Sequence, residues 1–363
     1  MTAGNLINMT SGPLVSAIVV NWNGARDLET CLPTLLRQSY QPLEVIVVDN
    51  ASEDDSAEVV HRFGALWLPL EHNVGLAPAL NRGAGAATGE LLLFVNNDMR
   101  FHEEFVASMV CEILRDDEIF TVDALQYDWK GEDIVHLATR LTTEACPGVR
   151  CHQLTPSLYI CQERQGSPTP VLMSSAANML ARRSMFQTLG GFDERLFFGY
   201  EDVELCWRGW AHGWKTVFAP RAKCWHRVGH SSYSGPGRSL SFRGIVTGRL
   251  VLATKLLPVR YAILAWLMSA AGLAGDLGRL RWQRSADRIQ VLTECVRHFL
   301  ALVRERREIH RSLRTNPRIQ LERLLRLPSC AATAASGLTG SPLSAQGGRD
   351  VCALGPTYRK AHR

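Results

Sequence analysis

The first hundred residues alternate between continuous apolar runs and helical periodicity. Val15–Val20 is a short β-branched run ending in the polar Asn21-Trp22-Asn23-Gly24. A helical pattern follows, with Leu28, Cys31, Leu32 and Leu35 recurring on one face. Leu43–Val48 is a second apolar run, closed by Asp49-Asn50. Ser52 reads as the N-cap of the next helix, with Asp54 and Asp55 in its first turn. A third strand is expected over Ala65–Leu70, a helix over Leu76–Ala87, and a strongly apolar strand over Leu91–Val95 that ends at Asn96-Asn97-Asp98. Strict alternation with strands apolar throughout predicts an α/β fold, a mostly parallel sheet covered by helices on both faces. Ligands of such sheets bind beyond the carboxyl ends of the strands. Asn21, Asp49 and Asp98 are therefore expected on one edge.

Signals then weaken. Asp123–Pro170 reads as an irregular connecting segment, and regular patterning returns over Ala176–His226. Arg238–Leu257 reads as a basic amphipathic helix. In Tyr261–Gly275 the only polar side chains are the hydroxyls of Tyr261 and Ser269; this apolar stretch is too short to cross a bilayer of ~30 Å as one helix. Arg279–Leu327 is Arg-rich and helical, and the Ala/Gly/Ser-rich tail beyond Pro328 reads as disordered. The expected organisation is a disordered 1–13, a catalytic domain over 14–235 divided into halves at 14–100 and 101–235, a basic helical region over 236–328, and a disordered 329–363.

Composition narrows the class. Of 363 residues, 46% are hydrophobic and 21% charged, which supports a sizeable core and excludes wholesale disorder. No run reaches the ~18 consecutive apolar residues of a spanning helix. The polar N-terminus shows no signal peptide. The ten cysteines include no CxxC pair and read as reduced thiols, several of them core filler. The net charge of +5 conceals an asymmetry: Arg238–Arg326 carries eighteen Lys/Arg against six Asp/Glu, so the remainder is acidic. That pattern suits a catalytic body joined to an arm that seeks an anionic surface.

Three constellations carry chemistry. A carboxylate at the tip of a buried strand, Asp98 after Asn96-Asn97, can hold a hard divalent cation, although Asn-Asn-Asp is also ordinary turn chemistry. Asp49 could accept a hydrogen bond from the N3–H of a pyrimidine, or simply close a strand-to-helix turn. Glu201 and Asp202 follow a Gly-aromatic loop and open a helix. There they either favour its positive end or supply a general base. His226 and His230 lie in a Gly/Ser loop, and their weight depends on meeting Asp98 in space.

The succession Val19-Val20-Asn21-Trp22-Asn23, Val48-Asp49-Asn50-Ala51-Ser52, Asn73-Val74-Gly75-Leu76-Ala77, Thr88-Gly89-Glu90, Asn96-Asn97-Asp98, Gly190-Gly191-Phe192-Asp193-Glu194, Glu201-Asp202-Val203-Glu204-Leu205 and His226 resembles a family 2 glycosyltransferase of the rhamnosyltransferase-like branch, over roughly residues 14–257. The resemblance implies a GT-A fold, a Rossmann-like, mostly parallel sheet, here with a C-terminal helical basic extension. It implies a metal-dependent inverting hexosyltransferase that uses Mg²⁺ or Mn²⁺ and a dTDP- or UDP-linked sugar. The acceptor would be a hydroxyl of a glycan or lipid-linked molecule in cell-surface polysaccharide synthesis, and rhamnose is the expected sugar. Asp49 then contacts the base, and Asn21, Asn23, Asn50, Asn73, Gly75, Arg82, Asn96 and Asn97 belong to the donor side. Asp98 matches the last Asp of the Asp-x-Asp metal motif, His226 a metal or diphosphate ligand, and Asp202, with Glu201 beside it, the catalytic base. Asn96 replaces the motif's first Asp and removes one charge. A lipid-linked acceptor implies a cytoplasmic enzyme, peripheral on the anionic inner face of the cell membrane.

Rival readings fit less of the chain. A processive synthase lacks its spanning helices and its Gln-x-x-Arg-Trp motif. A sugar nucleotidyltransferase shares the sheet logic but has a Gly-rich basic loop where Asn21-Trp22-Asn23-Gly24 stands. A nucleic-acid binder built on the Arg-rich C-terminus leaves the acidic constellation unexplained, so no nucleic-acid partner is expected.

Overall fold

A computed structural model describes residues 12–146, 150–227, 237–312 and 316–327. The expected disordered ends, apart from residues 12 and 13, lie outside the described residues, as does His230. The first half runs β1 (Val15–Asn21), α1 (Ala25–Leu36), β2 (Leu43–Asp49), α2 (Ser56–Phe63), β3 (Leu66–Pro69), α3 (Leu76–Ala86), β4 (Leu91–Asn96), β5 (Met99–Phe101), α4 (Phe105–Ile113) and β6 (Ile119–Asp128). Then come β7 (Ile134–His136), β8 (Ala138–Thr142), β9 (Cys151–Thr155), β10 (Leu158–Glu163), β11 (Thr169–Pro170), β12 (Asn178–Arg182), α5 (Arg183–Thr188), α6 (Glu201–Ala211) and β13 (Lys215–His226). Four helices close the described chain: α7 (Gly237–Leu256), α8 (Val259–Gly278), α9 (Trp282–Ser312) and α10 (Pro317–Leu325).

The central sheet has the order β11-β13-β6-β12-β4-β1-β2-β3. Strands β3, β2, β1 and β4 are mutually parallel, β13 is parallel to β6, and β12 is antiparallel between β4 and β6. Register brings Asn21 opposite Asp49 and Val20 opposite Asn96, so three polar strand ends meet on one edge. Side chains alternate between the two faces. Ile18, Ile46 and Phe94 pack with Leu80 of α3, Trp207 of α6 and Leu250 of α7. Val19, Val47 and Leu93 pack with Leu28 and Leu32 of α1, Val60 of α2 and Phe105 of α4.

Four expectations are corrected. Asp123–Pro170 is not a mere connection: it includes most of the central strand β6 and a separate three-stranded sheet, β8-β10-β9. Short strands with mixed faces escaped the periodicity. Ser52 caps nothing, because α2 begins at Ser56 with Asp55 as its N-cap. Helix α7 is not amphipathic: residues 250–258 are all buried, including Lys255. Not all thiols are reduced, since Cys151 and Cys161 on paired strands are joined. Cys31, Cys206, Cys224 and Cys295 are buried.

Lys255 explains how α7 tolerates burial. Its Nζ lies 2.6 Å from Glu204 Oε1 of α6 and 2.8 Å from Asp193 Oδ2, and Arg195 reaches both Asp193 and Glu305 of α9. Arg306 of α9 donates to the carbonyls of Thr254 and Leu257 at the end of α7.

Candidate active site

The β1, β2 and β4 ends are knitted into one network. Asn21 Nδ2 donates to Asp49 Oδ1 at 3.1 Å and to Ser56 Oγ at 2.8 Å, and Asn21 Oδ1 accepts from Asn97 Nδ2 at 2.6 Å. Ser52, freed from capping, donates to Asp49 Oδ1 at 2.5 Å and accepts from Asn23 N at 2.8 Å. Asn23 is left-handed (φ 51°), a conformation Asn tolerates, and its Oδ1 accepts from Glu53 N. Gly24 is required by contact: a Cβ there would stand 2.0 Å from Asn97 Nδ2. Asn50 bridges to the next loop, donating to Asn73 Oδ1 at 3.0 Å and accepting from Val74 N at 2.9 Å. Gly75, at φ 92°, passes so close to Phe197 that a Cβ would lie 2.5 Å from its ring. Arg82 is exposed on α3, and among the described residues no hydrogen bond or ion pair joins it to this network.

Asp98 follows β4 and is 7% exposed, with Oδ1 buried and without a hydrogen-bond partner. Strand β13 shifts register between Ala219 and Lys223 and then pairs with β5, which sets His226 opposite Met99. His226 Nε2 consequently lies 3.2 Å from Asp98 Oδ1. His226 Nδ1 stands 3.1 Å from Gln126 Oε1; donation there leaves Nε2 with its lone pair. Two ligand atoms in adjacent positions of an octahedral shell, each ~2.1 Å from Mg²⁺, stand about 3.0 Å apart. An orphaned carboxylate oxygen and an imidazole nitrogen at this spacing fit a hard divalent cation. Arg227, whose N donates to the Asp98 carbonyl, lies over the Trp129 ring at 4.2 Å and pairs with Asp27 at 2.7 Å.

The third group sits where α6 begins. Gly199 and Tyr200 are both left-handed (φ 89° and 69°) and turn the chain into the helix. Asp202 Oδ1 accepts from Val203 N at 2.7 Å, and its Oδ2 from Ala176 N at 3.4 Å. Ala177, the next residue, accepts from Asn96 N, so Asp202 lies at the same edge as Asp98. Burial raises the Asp202 carboxyl above the usual range despite these donors. Glu201 is 5% exposed with Oε2 unpartnered; burial, and then the Asp202 charge, raises its carboxyl too. A buried, unpaired carboxyl of this kind prefers to be neutral.

Sequence reasoning missed Asp123, His136, Gln126 and Arg227. Asp123 is fully buried in β6, accepts from Ser175 N at 3.1 Å, and has His136 Nε2 2.9 Å from its Oδ2. The available signal was an acid inside the run Ile119–Leu125, whose only other polar residue is Thr121.

Residues 16–190 match the model of the family described as Glycosyl transferase family 2. The match ends before Asp202 and His226. Over 250 residues the chain is 26% identical to N-acetylglucosaminyl-diphospho-decaprenol L-rhamnosyltransferase of Mycobacterium tuberculosis, covering 63% of this chain and 80% of that one. The fold is similar to that of a mannosyltransferase from Pyrobaculum calidifontis solved in complex with GDP-Man and Mn²⁺, with TM-score 0.52 and 20% identity over 91% of this chain and 88% of the other. It is also similar to GalNAc-T7 solved with UDP, GalNAc and Mn²⁺, with TM-score 0.53 and 16% identity over 80% of this chain and 58% of that one.

Proposed function

Residues 16–190 are a Glycosyl transferase family 2 domain, and from that premise we propose that the chain is an inverting, metal-dependent glycosyltransferase moving rhamnose from dTDP-rhamnose to a hydroxyl of a lipid-linked glycan in cell-surface polysaccharide synthesis. The observation that carries this reading is the convergence of Asp49, Asp98 with His226, and Asp202 on one sheet edge. The name of the mycobacterial relative supports both the sugar and the lipid-linked acceptor.

Asp49, held by Asn21 and Ser52, faces the donor's base, and the Asn50–Asn73–Gly75 loop flanks the sugar. Asp98 and His226 would hold Mg²⁺ or Mn²⁺, and such a cation would neutralise charge developing on the leaving diphosphate. Asp202 takes the acceptor's proton as its oxygen attacks opposite the leaving group. Differential scanning fluorimetry tests the ligand set. In the presence of Mn²⁺, dTDP at ~100 times its Kd should add about 2.7 kcal/mol, a Tm rise of several degrees that shrinks when the metal is left out. Asp98→Asn should abolish the metal-dependent part of that rise; an unchanged rise in the variant contradicts the assignment.

We read α8 with α9 as the membrane face. In α8 the polar side chains Tyr261, Ser269 and Asp276 are buried, whereas Val259, Ile263 and Leu267 are 62%, 54% and 60% exposed. A helix facing water shows the reverse arrangement. Ile263, Leu267, Trp266, Phe299 and Val303 line a groove of about 530 Å³ with Arg306 and Arg307. The helix has 20 residues, longer than its apolar stretch, and is apolar enough by length and composition to cross a membrane. Its packing against α7 and α9 and the Asp276–Arg288 pair at 3.0 Å favour lying on the surface instead. Exposed Arg260, Arg297, Arg304 and Arg307 match an anionic leaflet. The full chain should sediment with phosphatidylglycerol vesicles and much less with phosphatidylcholine, and Ile263→Glu/Leu267→Glu should cost at least ~10-fold in partitioning. Unchanged sedimentation, or a dimer in light scattering that the double variant dissolves, overturns this face.

A further inference from the structure

The surroundings of Asp202 include an imidazole that the transfer chemistry described above does not use. Consecutive backbone amides of the turn before β12 hold two carboxylates: Ser175 N donates to Asp123 Oδ1 and Ala176 N to Asp202 Oδ2. Asp123 is fully buried, and its other oxygen lies 2.9 Å from His136 Nε2 on β7. Two carboxylates side by side, with Glu201 next to them, require positive charge nearby or must give up one ionisation. Imidazolium at His136 meets that need.

We propose that His136, anchored by Asp123, is a positioning residue that stands as a cation beside Asp202 and keeps it ionised for proton abstraction. The inference rests on Asp202 being the base. Asp123 faces His136 from β6, Asp202 from α6, and Arg150 and His152 from the edge of the small sheet. Burial alone would lower the imidazole; the charge and hydrogen bond of Asp123, with the Asp202 charge behind them, raise it instead. Conversely, His136 pulls the buried Asp202 carboxyl down while Asp123 pushes it up. With His136 neutral, only the Val203 and Ala176 amides would oppose burial and the neighbouring acids, and the Asp202 carboxyl would lie higher still.

Linkage makes the coupling measurable without a substrate. The amount by which Asp202→Asn lowers the His136 pKa equals the amount by which imidazolium lowers that of Asp202. NMR titration of ¹³C/¹⁵N-histidine-labelled full chain should place His136 above the ordinary value of ~6.5. Asp202→Asn should lower it by about half a unit or more, and Asp123→Asn by more still. A His136 that titrates at or below the ordinary value, or that ignores Asp202→Asn, overturns the proposal whatever the enzyme transfers. In turnover, His136→Gln should move the acidic limb of the kcat/KM profile up by about one pH unit, roughly a tenfold loss on that limb, with the alkaline plateau within a few-fold of wild type. A purely structural role would lower the whole profile and the Tm without moving the limb. If Asp202→Asn leaves transfer intact while the NMR coupling holds, the identity of the base is wrong and the His136 cation stands.

Discussion

Asp202→Asn should reduce turnover at least ~10²-fold, the usual cost of losing a general base, without loss of thermal stability. The side chain keeps its shape, and its Oδ1 still accepts from Val203 N; only the longer contact from Ala176 N is lost. Against that loss stands a gain: a carboxyl raised by burial, beside Glu201 and Asp123, becomes neutral. The sign for the wild type follows. The base works only when ionised, so activity falls as pH drops through the raised Asp202 value, a limb above the ordinary Asp range. Donor binding, read as the dTDP- and Mn²⁺-dependent rise in Tm, should survive in Asp202→Asn, because Asp49, Asp98 and His226 are untouched. Turnover within a few-fold of wild type, with that rise intact, removes Asp202 from the role.

The largest effect on stability is expected at Lys255. Lys255→Met leaves Glu204, which has no exposed surface, and Asp193 with one cation fewer. Removing one partner of a buried ion pair costs about 3–5 kcal/mol, here a Tm loss on the order of 5–10 °C. Arg208 still holds Glu204 at 2.7 Å and Arg195 still holds Asp193 at 2.6 Å, which favours the lower end. The network also sets an acid limit. Burial would raise both carboxyls, but Arg195 and Lys255 at Asp193, and Arg208 and Lys255 at Glu204, hold them below the usual range. Their contribution is therefore complete above the unfolded carboxyl values of ~4 and is lost as pH falls through the lower folded ones. Calorimetry of Lys255→Met at neutral pH, alone and with Glu204→Gln, checks this; a variant within one degree of wild type would show that Lys255 contributes little.

What was legible in the chain depended on how local the signal is. Strands β1, β2 and β4 are buried on both faces, so their composition alone marks them, and the polar residues that stop each run mark the edge where the candidate site lies. Asn21, Asp49 and Asp98 meet because parallel strands of similar length end together. His226 meets Asp98 for a different reason: past the register shift after Ala219 the end of β13 stays paired with β6 and takes β5 on its other edge. No periodicity in either segment announces that pairing. Asp123 and His136 were hidden in a stretch whose short strands carry weak patterns, and His136 matters only through a partner thirteen positions away. Ser52 misled because its side chain serves either a helix end or a neighbouring carboxylate, and only the position of α2 decides. In α8 the apolar content was plain, but which face it occupies depends on packing against α7 and α9.

On the membrane-surface reading proposed above, the outward apolar stripe of α8 has a kinetic consequence. An enzyme resting on a leaflet meets acceptors confined to the same leaflet, so encounter becomes a two-dimensional search and the local acceptor density replaces its bulk concentration. Apparent acceptor affinity should then depend on the lipid area available per enzyme, and dilution of the vesicle surface with inert lipid should slow the reaction even when total acceptor is held constant.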